Sequence, residues 1–253
     1  MKVLSVRNMA ATRVVGQVII LMVFIAGSAV TPFAMAHGDL QERIAAITVQ
    51  ILANQAAPEL WLQRADLNRQ HGDFSAARSD LDHATQLKPG WAAVHLQLAR
   101  ISFDSGQFVD CEQAATECLK LESSNIDARV LRARSLVQLG KLERVVADYD
   151  VVLNSTNSAA PMPDLYLERA RALAGLQRWD DAIRGLDAGM ARVGATPALA
   201  LPAIEYERKR GAFGAALARL ERARGFFSEK GYGKMRVEIL QQRDSEQPAP
   251  PNN

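Results

Sequence analysis

Few side chains in this sequence are placed to do chemistry. Its 253 residues include four histidines and two cysteines. Catalysis needs acids, bases, nucleophiles or metal ligands that converge in a pocket, and the chain carries no HExxH, GxSxG, CxxC or Gly-rich phosphate loop. His71 falls at a turn, His83 on an outer helix face and His95 at the opening of a helix, where solvated or packing roles suffice. Cys111 and Cys118, seven apart in one helical stretch, have backbones about 10 Å apart at a rise of about 1.5 Å per residue. A disulfide needs less than about 7 Å, so both read as small buried thiols. The acidic pairs Asp80/Asp82 and Asp148/Asp150 are two apart and point away from each other on a helix, which makes them outer-face charges. Arg64, Arg132 and Arg169 recur in phase and lay their stems along neighbouring helices. No enzyme, cofactor or metal is expected.

The elements that position these residues repeat. Gly72-Asp73-Phe74, Gly106-Gln107-Phe108 and Gly140-Lys141-Leu142 are spaced by 34 residues; Gln177-Arg178-Trp179 follows after 37 and Gly211-Ala212-Phe213 after another 34. Each triplet lies between two amphipathic helical patterns, as in Trp61, Ala65 and Asn68 before the first and Ala77, Leu81 and Ala84 after it. Glycine ends the first helix, and the aromatic residue or Leu two positions on anchors the second. Small residues recur where the helices must approach: Ala65, Ala99, Ala133 and Ala170, then Ala77, Cys111, Ala182 and Ala216, then Ala84, Cys118, Gly189 and Ala223. The third repeat departs with Val145 and Val152, which predicts a slightly splayed hairpin.

This pattern resembles the tetratricopeptide repeat (TPR) family, best in Pro58 to Trp91 through Trp61, Ala65, Gly72, Phe74, Ala77, Ala84 and Pro89, with departures at Arg64 and Asn68. The resemblance implies an all-α, right-handed α-solenoid of about five helical hairpins with capping helices at both ends. The divisions are 1–36 leader, 37–57 N-terminal capping helix, hairpins at 58–91, 92–125, 126–162, 163–196 and 197–230, a C-terminal capping helix at 231–243 and a disordered tail at 244–253. The polar run 154–161 lengthens the loop after the third hairpin, and Pro202 is expected to kink or delay the first helix of the fifth.

The leader has Lys2, Arg7 and Arg13, an apolar stretch Val18 to Val30, and the small-residue site Ala34-Met35-Ala36. That is the layout of a cleaved secretory signal, and the apolar stretch is short for the roughly 20 residues of a spanning helix. Export to a periplasm or the exterior is expected, with a membrane tether only if the segment stays uncleaved. The formal charge is +2; removing three basic residues leaves 27 basic against 28 acidic ones. Nucleic acid is therefore not an expected partner. Cleavage after Ala36 makes His37 the first residue, and an amine beside an imidazole can chelate copper, a minor alternative.

The family resemblance implies that the first helices line a concave ligand face. Its phase gives an apolar column, Leu62, Leu96, Val130, Leu167 and Leu201, and a charged one, Asp66, Arg100, Arg134, Arg171 and Glu205. With Phe103 a turn further along, the expected partner is a protein or peptide segment with an acidic and an apolar side. The competing possibility is that the arginines pair with carboxylates of adjacent repeats.

Overall fold

The computed structural model describes residues 32–155 and 162–246. They form twelve α-helices and one 3₁₀ turn, with no strand among the described residues. The helices are α1 (Pro32–Ala53), α2 (Pro58–His71), α3 (Phe74–Leu87), α4 (Ala92–Asp104), α5 (Phe108–Leu121), α6 (Ile126–Gln138), α7 (Leu142–Asn154), α8 (Pro163–Gly175), α9 (Trp179–Val193), α10 (Pro197–Lys209), α11 (Phe213–Arg222) and α12 (Glu229–Glu246). Each packs on the next along the chain. Five hairpins, α2/α3 to α10/α11, stack between α1 and α12.

The five hairpin turns are the same structure. Gly72, Gly106, Gly140 and Gly211 have φ between 69° and 89°, and Gln177 takes the same left-handed conformation at φ 58°. In every turn the following amide returns to a carbonyl five residues back: Asp73 to Asn68, Gln107 to Ser102, Lys141 to Leu136, Arg178 to Leu173 and Ala212 to Glu207, at 2.8–3.0 Å. This is the Schellman closure that satisfies the last carbonyls of a helix. Asp73 then caps α3 by accepting from the Ala76 amide, and Asn125 caps α6 from Ala128.

Close packing follows from the small residues. Ala65, Ala99, Ala133, Ala170, Ala77, Cys111, Ala182 and Ala216 are fully buried, and Val145 and Val152 are equally buried at their places in the third hairpin. Gly189 lies where an added Cβ would meet the Tyr166 ring at 2.8 Å. Cys111 and Cys118 are free, buried thiols, and burial pushes both above the ordinary thiol range. Pro202 does not delay α10, which starts at Pro197 and runs through it to Lys209. Pro202 is the sixth residue of the helix, so its missing amide leaves the Ala198 carbonyl without that intrahelical bond while the helix continues.

α1 is the helix that closes the array. It packs Ile44, Ile47 and Ile51 towards the first hairpin, with Ile51 buried. One repeat length before Ala77 and Ala84 it carries Arg43 and Gln50, both exposed. These two positions are polar where the repeats have small residues, while Val49 and Leu52 of the same helix are exposed. α1 begins earlier than the sequence divisions suggest, and α12 continues through 244–246, which the sequence reading assigned to the tail. Residues 1–31, with most of the leader, the loop residues 156–161, the tail 247–253 and the His37 side chain lie outside the described residues. No described helix is long and apolar enough to cross a membrane.

Candidate protein-binding groove

Two positions of each first helix, three residues apart, recur along the array where the family resemblance puts the concave face. They are Asp66 and Arg69 in α2, Arg100 and Phe103 in α4, Arg134 and Val137 in α6, Arg171 and Ala174 in α8, and Glu205 and Arg208 in α10. Both ends are self-neutralised: Arg69 pairs with Asp66 at 3.0 Å and Arg208 with Glu205 at 3.2 Å. The three central repeats instead pair an arginine with an apolar residue. Charge and apolar surface are thus concentrated in the middle of the trough.

The three arginines are in different states. Arg134 is locked: its Nε and one terminal nitrogen donate to the two Glu168 oxygens at 3.1 and 2.9 Å. Glu168 also accepts the Tyr149 hydroxyl. Burial, and then the bond to Glu168, push the Tyr149 phenol far above its ordinary range, while the bond to Glu168 raises Arg134. Arg100 makes one 2.8 Å contact with Asp127, whose side chain is 66% exposed. Arg171 is exposed and has no hydrogen-bond or ion-pair partner among the described residues.

Cavities open beside these groups. One of about 360 Å³ is lined by Phe103, Arg134, Val137, Leu142, Arg171 and Ala172, and another of about 280 Å³ by Arg100, Asp127, Val130, Arg134 and Leu165 among others. They lie at the junction of α4, α6 and α8. First helices α2 and α4, α4 and α6, and α8 and α10 run in contact, whereas α6 and α8 touch along less of their length. A third cavity, about 390 Å³, lies between α1 and α2 beside Leu62 and Asp66.

The aliphatic column is partly spent on packing. Leu62 and Val130 open onto cavities, but Leu96 packs on the Cys118–Ala128 cluster and Leu167 on the central core. Leu201 is half-buried on α10. Phe103 stands edge-on to Phe108 with ring centroids 5.7 Å apart. The sequence reading missed Glu168, Tyr149, Val137 and Leu142. Glu168 stands 34 residues after Arg134 and Val137 34 after Phe103, so phase alone could have found those two.

One reading is corrected. Asp80 and Asp148 are not outer-face charges: they are buried and held by arginines of their own hairpins. Arg64 reaches Asp80 at 2.6 and 3.0 Å, joined by the Asn68 amide at 3.0 Å. Arg132 reaches Asp148 at 2.6 and 2.8 Å, and Arg129 joins at 3.4 Å. The helix wheel put the second-helix acids outside because it ignored the facing helix, whose arginine lies 16 residues earlier. Arg169 pairs with Asp150 of the preceding hairpin at 2.6 Å. No group of three or more His, Cys, Asp or Glu able to hold a metal occurs among the described residues.

The tetratricopeptide-repeat profile matches residues 58–101, the first hairpin and the opening of the second, in a chain whose later hairpins repeat the same turn and packing. The first hairpin carries a tetratricopeptide repeat, and the chain folds as an α-solenoid of such hairpins. Its fold is similar to that of YrrB, described as a TPR protein with an unusual peptide-binding site, at TM-score 0.60 and 15% identity over 79% of this chain and 98% of YrrB. It is also similar to Pseudomonas aeruginosa pilF, at TM-score 0.60 and 12% identity over 81% and 92%. PilW, described as a widely conserved type IV pilus biogenesis factor, matches at TM-score 0.59 and 15% identity over 81% and 93%. At these identities the likeness is one of TPR fold. No curated protein resembles the chain in sequence.

Proposed function

We propose that this TPR protein is an exported adaptor that holds an extended segment of a partner protein across its three central repeats. The observation that carries the reading is the pattern at these paired positions: arginine with Phe103, Val137 or Ala174 in the centre, internally neutralised pairs at both ends. A uniformly solvated face has no need of such a division. Desolvated apolar anchors beside charge-assisted donors are how extended segments are captured. YrrB's described peptide-binding site is in keeping with a peptide-holding role for this fold. Export rests on the leader, Lys2 to Ala36.

The test is capture from the native envelope by wild type and by an Arg100→Glu/Val137→Glu variant. Both side chains are at least partly exposed, so the variant keeps its helical circular dichroism. It loses the wild-type partner; a variant that still captures it overturns the groove reading. N-terminal sequencing of the exported chain is a separate check of the leader, with His37 expected as the first residue.

A further inference from the structure

The arginine column was chosen by repeat phase, which treats its members as equivalent. Their surroundings do not. Two carboxylates lie where Arg171 could use them. Glu168 is three residues earlier on α8, the spacing at which Asp66 meets Arg69 and Glu205 meets Arg208. Glu205 is 34 residues later, the spacing at which Arg134 meets Glu168. Both are committed elsewhere: Glu168 to Arg134 and the Tyr149 hydroxyl, Glu205 to Arg208 and Lys209. The third and fourth repeats therefore leave one guanidinium over.

That guanidinium borders a place for a side chain. Arg171 shares its cavity of about 360 Å³ with apolar Phe103, Val137, Leu142 and Ala172, with Gln138, and with the mutually neutralised Arg134 and Glu168; Val137 is 41% exposed. The volume is near the lower end of ligand pockets, which run from about 300 to 1,000 Å³. A planar, permanently charged guanidinium binds a carboxylate through two parallel bonds. The same wall then accepts an apolar side chain next to that carboxylate. Arg134, whose Nε and one terminal nitrogen already meet the Glu168 carboxylate, has its charge neutralised and shapes the wall.

We infer that Arg171 is the carboxylate-anchoring residue of the groove, and that the segment it takes carries an acidic residue flanked by an aliphatic or aromatic one, seated between Phe103 and Leu142. This rests on the groove reading and adds the chemistry of its occupant. Arg134 becomes a positioning residue, acting through Glu168.

The experiment uses the full chain and two synthetic probes, acetyl-Ala-Leu-Glu-Leu-Ala-amide and the same peptide with Gln for Glu, titrated while backbone amide shifts of α4, α6 and α8 are followed. Wild type binds the Glu probe about tenfold more tightly, the discrimination expected of one charge-assisted pair. Arg171→Gln makes the two probes equal and leaves affinity for the Gln probe unchanged. Arg134→Gln lowers the melting temperature and keeps the preference for Glu. A preference that survives Arg171→Gln, or is lost equally in Arg134→Gln, overturns the assignment. So does wild type that binds neither probe, or both alike. Loss of envelope capture in Arg100→Glu/Val137→Glu together with any of these results leaves the groove reading standing and removes only the assignment to Arg171.

Discussion

A buried ion pair inside a hairpin is the residue-level signature of this molecule. Asp80, Ala114, Asp148, Gly185 and Arg219 occupy one position of the five second helices. The partners across the hairpin change with them. Where the acid is present an arginine faces it, as in Arg64 with Asp80 and Arg132 with Asp148. In the second repeat the seam is apolar, with Leu98 facing Ala114. In the fifth the charges are exchanged: Arg219 now stands on the second helix, held by Glu207 at 2.8 Å and by Asp187. Burial, which works against Arg219, is outweighed by the bonds to these two acids, and its charge is held more firmly than an ordinary arginine's. Buried pairs are costly to break but replaceable by apolar residues. Asp148→Ala therefore loses about 3 kcal/mol by stranding Arg132 and Arg129 in the seam. Arg132→Leu with Asp148→Ala, which copies Leu98 and Ala114 of the second repeat, restores part of it, since Arg129 keeps only its bond to the Ser123 carbonyl. Urea unfolding of the three proteins decides; a double variant no more stable than Asp148→Ala contradicts the argument.

At the scale of the element, the hairpin turn is what made the fold readable. Its left-handed residue excludes most side chains, so glycine recurs every 34 residues, and the close approach of the two helices forces small residues on a matching period. Both constraints are local and appear in the sequence. Gln177 is the exception that tests them: it holds φ 58° where the other four turns have glycine. Gln177→Gly is expected to stabilise the protein by about 1 kcal/mol, seen as a higher melting temperature with no change in spectrum. An unchanged or lower melting temperature would mean that contacts of Gln177 outweigh its backbone cost. What the sequence did not reveal is pairing between elements. Asp148 looked external because its partner lies on another helix, and the three groove arginines looked alike because phase records position only. Which of them is free depends on the choice Glu168 makes between Arg171 on its own helix and Arg134 on the preceding repeat. Glu168 meets Arg134 and also accepts the hydroxyl of Tyr149, from a third helix.

On the scale of the whole molecule, each hairpin touches only its neighbours, so stability is a sum of hairpins and the seams between them. Many of the seams carry a carboxylate: Asp104 with Arg69, Glu112 with Lys141 and Arg144, Asp127 with Arg100, Glu168 with Arg134, Asp180 with Arg210 and Asp187 with Arg219. Glu112, which joins the second repeat to the third, gives the sign of the pH response. Partial burial pushes its carboxyl up, but hydrogen bonds from Lys141 and Arg144 outweigh this and hold it below the ordinary glutamate value. The folded state therefore binds fewer protons than the unfolded one in the acid range. Its contribution is fully present above the unfolded pKa of about 4.3 and is lost as pH falls through the lower folded value. The urea midpoint is expected to drop as pH falls below the unfolded glutamate value of about 4.3. Glu112→Gln should cost about 1 kcal/mol at neutral pH, as befits a surface network, and progressively less as pH falls through the lowered folded value and the native glutamate takes up its proton. Because the seams are separable, amide exchange at low pH should rise first in the helices flanking weakened seams rather than uniformly. A Glu112→Gln protein whose stability falls with acid as steeply as wild type would show that this seam is not where the protons bind.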